Sequence, residues 1–222
     1  YPVSSLLAAP GNLTDSQVAL IEPLSVSLRA VTRGEVAPGE SVAVVGAGTI
    51  GLLCVAAARS LGAVRVFSIA RHGHQAAMAE ELGATDVLTP QDGDPREAIA
   101  EATGGGVDVV VDSVASGTSF STALALARHQ GRVVEVGGVT RPLLCALNPL
   151  VHKELRVTGS ECYATSEGRR DFERAAELLA AGEVDPERIV THKFPLADVA
   201  EAFRVAADKR TGSIKVLVTM GQ

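Results

Sequence analysis

Short apolar runs alternate along this chain with longer stretches of helix-forming residues. Val42-Ala43-Val44-Val45 is apolar at every position. Such a run is too short for a core helix and reads as a strand buried on both faces. Val109-Val110-Val111 repeats the signature. The same reasoning predicts strands at 41–45, 63–69, 86–88, 107–111, 132–136 and 154–160, with helices at 52–61, 74–82, 96–102 and 118–128. Punctuation agrees: Gly83 ends the second of these helices, Pro90 and Pro95 mark a polar loop, Thr103-Gly104-Gly105-Gly106 is a turn, and Gly137-Gly138 stops the fifth strand. Strands and helices in strict alternation predict an α/β fold, a doubly wound parallel sheet with right-handed crossovers. The ends fall outside this unit. Residues 15–33 read as a helix interrupted at Pro23, and residues 168–222 as helix 168–181, strand 189–194, helix 196–207 and strand 213–219. The chain therefore divides into 1–30, 31–162 and 163–222, the outer parts belonging to a second, incomplete domain.

Composition narrows the class. The 222 residues are 46% hydrophobic and only 3% aromatic, with a net charge of −6. The valine, alanine and glycine content suits close helix-on-sheet packing. No basic stripe marks a nucleic-acid partner, and no apolar stretch reaches membrane-spanning length. The first residues lack a basic region followed by an apolar core. Three cysteines, Cys54, Cys145 and Cys162, lie far apart. They form neither a disulfide framework nor a zinc cluster, which predicts a reducing, cytoplasmic setting.

The chemistry begins at Gly46-Ala47-Gly48-Thr49-Ile50-Gly51, between the first strand and the helix after it. A strand, a glycine turn and a helix make the context of a dinucleotide-binding fingerprint (a Rossmann fold). Gly46 permits the sharp turn, Gly48 lets the backbone approach a pyrophosphate, and Gly51 lets the helix lie close. Free N–H groups of the helix start, at Thr49 and Ile50, face the phosphate charge. The second strand ends at Ala70, nineteen positions after Gly51. A cofactor with a free ribose 2′-hydroxyl normally meets an acid there. Ala70 cannot accept that hydrogen bond, and Arg71, His72, Gly73 and His74 follow it. Arg71 and His72 would suit a 2′-phosphate. The cofactor read from the sequence is NADP(H), with NAD(H) as the alternative if Arg71 merely decorates a solvated loop.

Ala19-Leu20-Ile21-Glu22-Pro23-Leu24-Ser25-Val26, the glycine turn and Val190-Thr191-His192-Lys193-Phe194-Pro195-Leu196, in this order and spacing, resemble the zinc-dependent medium-chain dehydrogenases, in their sorbitol and threonine dehydrogenase branch. The resemblance runs through the whole chain. Members are about half as long again and begin with a GroES-like catalytic domain that supplies most of the zinc ligands. The resemblance thus implies the C-terminal two-thirds of such an enzyme: 1–30 as a remnant of the catalytic domain with a linking helix, 31–162 as the dinucleotide-binding domain, and 163–222 as the return to the catalytic domain. It places Glu22 beside the zinc of the full-length enzyme as a candidate ligand. Asp112, Ser113 and Val114 fall near the cofactor ribose and adenine. Val136, Gly137, Gly138 and Ser160 fall on backbone near the nicotinamide. Lys215 is placed to reach the pyrophosphate, a solvated lysine being the alternative.

The implied reaction is hydride transfer between the nicotinamide and a secondary alcohol, polyol, amino alcohol or ketone, with zinc as Lewis acid. The small-molecule alcohol or ketone is then the substrate, and a homodimer or homotetramer is expected through the sheet edge at 154–160. Two positions depart from the family pattern. Cys162-Tyr163 stands where sorbitol-type members often carry Arg-Tyr, and Arg29 where a histidine is common. His129, His152 and His192 are scattered and read as surface or packing residues. The short-chain dehydrogenase pattern is absent, since neither Tyr1 nor Tyr163 has a lysine three residues on. A methyltransferase would also want an acid at position 70. The alternative from another class is a non-enzymatic NAD(P)-binding regulatory domain.

Overall fold

Along the first strand, Val42 and Val44 face one buried layer while Ala43 and Val45 face another. That two-residue period is what a central strand with helices on both faces must show. The computed structural model describes residues 3, 6–162, 164–166 and 168–220. Strands β1 (Ser41–Val45), β2 (Arg65–Ile69), β3 (Asp86–Leu88), β4 (Val107–Asp112), β5 (Ala127–Glu135) and β6 (Arg156–Gly159) form one sheet in the order β3-β2-β1-β4-β5-β6. Every pairing in it is parallel. The chain reverses direction across the sheet between β1 and β4, so a crevice opens there at the strands' carboxyl ends.

The helices among the described residues are α1 (Asp15–Val18), α2 (Ile21–Arg33), α3 (Thr49–Ser60), α4 (Gly73–Glu81), α5 (Pro95–Thr103), α6 (Gly117–Leu126), α7 (Asn148–His152), α8 (Asp171–Ala180) and α9 (Val199–Ala207). One face of the sheet is covered by α2, α3, α4 and α8, whose Leu24, Leu28, Leu52, Leu53, Ala79, Ala175 and Leu179 join a single apolar cluster with Val44, Val66 and Val111. On the other face, α5 and α6 bring Ile99, Ala123 and Leu124 against Phe67, Val110 and Val133. Parts of both terminal segments thus share the sheet's core. An ion pair at 3.8 Å between Arg29 Nε and the buried Asp171 carboxylate joins α2 to α8. Beyond α8, strands β9 (Val190–Pro195) and β10 (Lys215–Thr219) pair in parallel as a separate ribbon.

Four sequence expectations need correction. The 15–33 helix breaks at Ala19-Leu20, not at Pro23. Pro23 lies in the first turn of α2, where its missing N–H has no carbonyl partner to lose. The fifth strand starts at Ala127 rather than Arg132, and α6 ends at Leu126 rather than at 128. The cause is a long-range contact: Lys153 Nζ donates to the carbonyls of Ala125 (2.6 Å) and Ala127 (2.8 Å), satisfying the helix end without a glycine. A register shift between Val107 and Val109, with Gln130 at φ +55°, then carries the strand into its main pairing. The helix expected from 168 begins at Asp171, because Arg169–Arg170 (β8) forms a short hairpin with Thr165–Ser166 (β7) around Gly168 at φ +78°. Finally, α7 lies where no element was expected. Tyr163 lies outside the described residues. Among those described, no helix is long and apolar enough to cross a membrane.

Candidate functional site

The turn after β1 is built by exclusion of side chains. Gly46 has φ +95°, a backbone conformation that glycine adopts freely. A Cβ on Gly51 would stand 1.9 Å from the Gly46 carbonyl oxygen and 2.8 Å from Ser113 Oγ. Gly51 therefore lets the first turn of α3 press directly on the glycine turn. A Cβ on Gly48 would meet no protein atom within 4 Å, so its outer face is open. Gly48 is also the N-cap of α3 and offers no side chain to the helix's first N–H groups. Those donors are left for something outside the protein.

The turn opens into a cleft of about 450 Å³ at the carboxyl ends of β1, β2 and β4. Gly46, Gly48, Ala70, Arg71, His72 and Val114 line it, so six of the residues singled out in the sequence meet at one place. Ala70 is buried, and its backbone N–H donates to the Leu88 carbonyl at 2.9 Å. The position where an acid could stand is thus spent on packing. Arg71 is exposed at the rim. His72 is the N-cap of α4 and stacks on His74 at 5.6 Å between ring centroids. Burial, then the charges of His72 and Lys209, push the His74 imidazole below its ordinary range. Among the described residues, no Asp or Glu lines the cleft.

The other singled-out residues stand behind the cleft or away from it. Thr49 Oγ1 donates to the Ile214 carbonyl at 3.2 Å, and Ile50 packs on the core while its carbonyl accepts from Ser27 Oγ. Ser113 Oγ donates to the Val45 carbonyl at 2.9 Å, tying the end of β4 to the glycine turn. Asp112 is fully buried and accepts from Val114 N (2.9 Å) and Ser119 Oγ (2.8 Å), which fixes the start of α6. Its partner in the β4–β5 register is Glu135. Glu135 Oε1 accepts from Gly137 N at 3.0 Å, while Oε2 is enclosed without a donor. Burial and the neighbouring Asp112 charge push the Glu135 carboxyl up to about 8. Val136 N donates to the Asp112 carbonyl, and a Cβ on Gly137 would collide with Ala115. Gly138 is open on its Cβ side, and Ser160 N donates to the Glu135 carbonyl. Lys215 lies in β10, paired with Val190, and does not line the cleft.

Residues 49–181 match the family described as zinc-binding dehydrogenase. The chain is 32% identical over 227 residues to L-idonate 5-dehydrogenase of Vitis vinifera, covering 99% of this chain and 60% of that protein. It is 30% identical to sorbitol dehydrogenase of Arabidopsis thaliana, covering 99% and 61%. The solved structure of a zinc-binding dehydrogenase from Sinorhizobium meliloti bound to NADP superposes with a TM-score of 0.84 at 32% identity, over 96% of this chain and 61% of that one. This chain belongs to the zinc-binding dehydrogenase family. It spans about 60% of the length of the curated relatives it matches.

Membership in the zinc-binding dehydrogenases raises the question of the metal. A catalytic zinc takes three protein ligands from Cys, His, Asp or Glu. Glu22 lies half-buried in the first turn of α2, and no group of three or more such side chains stands together among the described residues. The donor set does not fit a zinc site within this part of the molecule.

Sequence reading passed over several cleft residues: Gln75, Thr118, Thr122 and Lys209. Thr118 and Thr122 carried a signal, being four apart and so on one face of α6. Lys209 carried none.

Proposed function

We propose that this chain binds NADP(H) at the β1–β4 crevice and serves as the cofactor-binding part of an alcohol, polyol or amino alcohol dehydrogenase. The single observation that carries the reading is the cleft itself. An uncapped helix start and an arginine converge on one pocket that, among the described residues, no carboxylate enters. The open N–H groups of α3 take the pyrophosphate. Arg71, at the end of β2, takes a 2′-phosphate where an acid would have taken a 2′-hydroxyl. Val114 packs against the adenosine, and the backbone around 136–138 and Ser160 borders the nicotinamide end. The bound cofactor supplies the hydride exchanged with the carbinol carbon of a secondary alcohol or ketone. The residues of this chain orient it and keep water from its buried face. Segments 1–30 and 163–222 connect to the catalytic part, and the exposed edge of β6 is the contact of a homodimer or tetramer.

The test is calorimetric titration with NADPH and NADH, on the chain and on Arg71→Ala. Loss of a charge-assisted contact costs about 1.5–3 kcal/mol, roughly ten- to a hundredfold in Kd. Tighter NADPH binding that collapses in the variant supports the reading. Tighter NADH binding, untouched by the substitution, overturns the NADP assignment. Failure of both to bind overturns the cofactor role of the chain on its own.

A further inference from the structure

Lys209 lines the same cleft as Arg71, 138 positions earlier in the chain. It comes from the turn Lys209–Thr211 after α9, in a segment that the alternating strand–helix pattern does not connect to the cofactor at all. Its Nζ donates to the Ala206 carbonyl at 2.8 Å. An ammonium has three donors, so this anchor leaves two. The acid next to it is already engaged: Asp208 accepts from Arg210 Nη2 (2.7 Å), Nε (2.9 Å) and backbone N (3.0 Å). Lys209 therefore brings an unneutralised charge to a pocket that, among the described residues, contains no carboxylate.

Two further observations point to a ligand between these cations. Helix α4 starts at Gly73 with His72 as its N-cap, and no side chain caps its first donors. Gln75, in that first turn, is 93% buried by its 7% exposure and lines the cleft; its backbone N–H donates to the His72 carbonyl at 3.0 Å, and its carboxamide makes no hydrogen bond among the described residues. A carboxamide held in the wall of the cleft with no protein partner has its donors free for a ligand there. The charge balance agrees. A phosphate monoester carries about −1.5 to −2 near neutral pH, so one guanidinium leaves part of the charge uncompensated. Two cations match it.

We propose that Lys209 and Arg71 clamp a phosphate monoester on the ribose 2′-oxygen of the cofactor, with Gln75 and the start of α4 donating to it. The inference rests on the NADP reading and makes residue 209, in the C-terminal segment, a determinant of NADP over NAD.

The experiment compares the chain with Lys209→Gln and Lys209→Arg. Each is titrated with NADPH and NADH, and with adenosine 2′-monophosphate and adenosine 5′-monophosphate as minimal probes. Lys209→Gln should weaken NADPH and the 2′-monophosphate by about tenfold or more, leave NADH and the 5′-monophosphate unmoved, and be rescued by Lys209→Arg. Equal weakening of NADPH and NADH would assign Lys209 to anchoring its own turn at Ala206 and overturn the clamp. An unchanged NADPH-to-NADH ratio would overturn it too, while Arg71-dependent NADPH preference left the parent reading standing. Preference of the unmodified chain for NADH would remove the parent reading itself.

Discussion

Glu135→Gln should change how the fold responds to pH. The carboxyls of Asp112 and Glu135 end two adjacent parallel strands in register. Asp112 has its donors in Val114 N and Ser119 Oγ, whereas Glu135 Oε2 is enclosed without one. The proton therefore stays on Glu135, whose carboxyl titrates near 8 instead of in the ordinary carboxylate range. The folded state binds this proton between about pH 4.5 and 8, where the unfolded chain has already released it. Stability from this group is present at the acid end of that window and is lost as pH rises through the folded value. Tenfold in proton affinity is about 1.4 kcal/mol, which sets a ceiling of about 5 kcal/mol. Screening at a carboxyl that is only half-buried brings the expected value to about 2 kcal/mol.

Glutamine keeps the shape, has no proton to lose, and can donate to Asp112 at every pH. Thermal unfolding of the two proteins should nearly coincide at pH 4, below the unfolded value. At pH 9 the variant should melt higher by roughly 4–8 °C, at 2–4 °C per kcal/mol for a chain of this size. Taking the difference between the two proteins removes every other titrating group from the comparison. Asp112→Asn is the companion variant: removing the neighbouring charge should draw the Glu135 titration back toward the ordinary range. A melting difference equal at pH 4 and pH 9 would refute the shared-proton pair.

Gly51→Ala puts a Cβ 1.9 Å from a backbone oxygen that cannot retreat, because Gly46 is itself backed by Val114 and Ser113. A loss of about 1–3 kcal/mol is expected, read by denaturant unfolding together with weaker cofactor binding, and an unchanged midpoint would contradict the packing. Thiol titration at pH 8 should count two reactive cysteines in the folded chain and three after denaturation. Cys54 is fully buried with its thiol pushed up to about 12, while Cys145 and Cys162 are partly exposed; three fast thiols in the native protein would show that α3 is not seated on the core.

The parts of this fold legible in the sequence are those fixed by neighbours in the chain. The run at 41–45 and the glycine turn after it appear at the expected positions because apolar continuity and glycine content act within a few residues. The start of β5 was not legible, since Lys153 ends α6 from 26 positions beyond Ala127. The hairpin before α8 was hidden in a polar stretch whose only signal was Gly168. The site divides in the same way. Arg71 and His72 follow directly from their place after β2, but Lys209 reaches the cleft only because the C-terminal segment folds back on the start of α3, where Thr49 Oγ1 donates to the Ile214 carbonyl.

The helix caps show how local sequence selects where an anion can sit. Four helices, α3, α4, α5 and α6, begin just past the carboxyl ends of sheet strands, and each start presents positive N–H groups. Two are closed by their own side chains: Asp94 accepts from Arg96 N at α5, and Ser116 accepts from Ser119 N at α6. The other two begin at Gly48 and His72, which make no cap hydrogen bond. Both open starts line the cleft, and so do Arg71 and Lys209. Had Ser or Asp stood at 48 or 72, its oxygen would satisfy the donors internally and place partial negative charge toward the pocket. The open caps and the two cations therefore work in one direction. On the proposed NADP reading they would offer two anion positions, one at the glycine turn for a pyrophosphate and one at the end of β2 for a further phosphate.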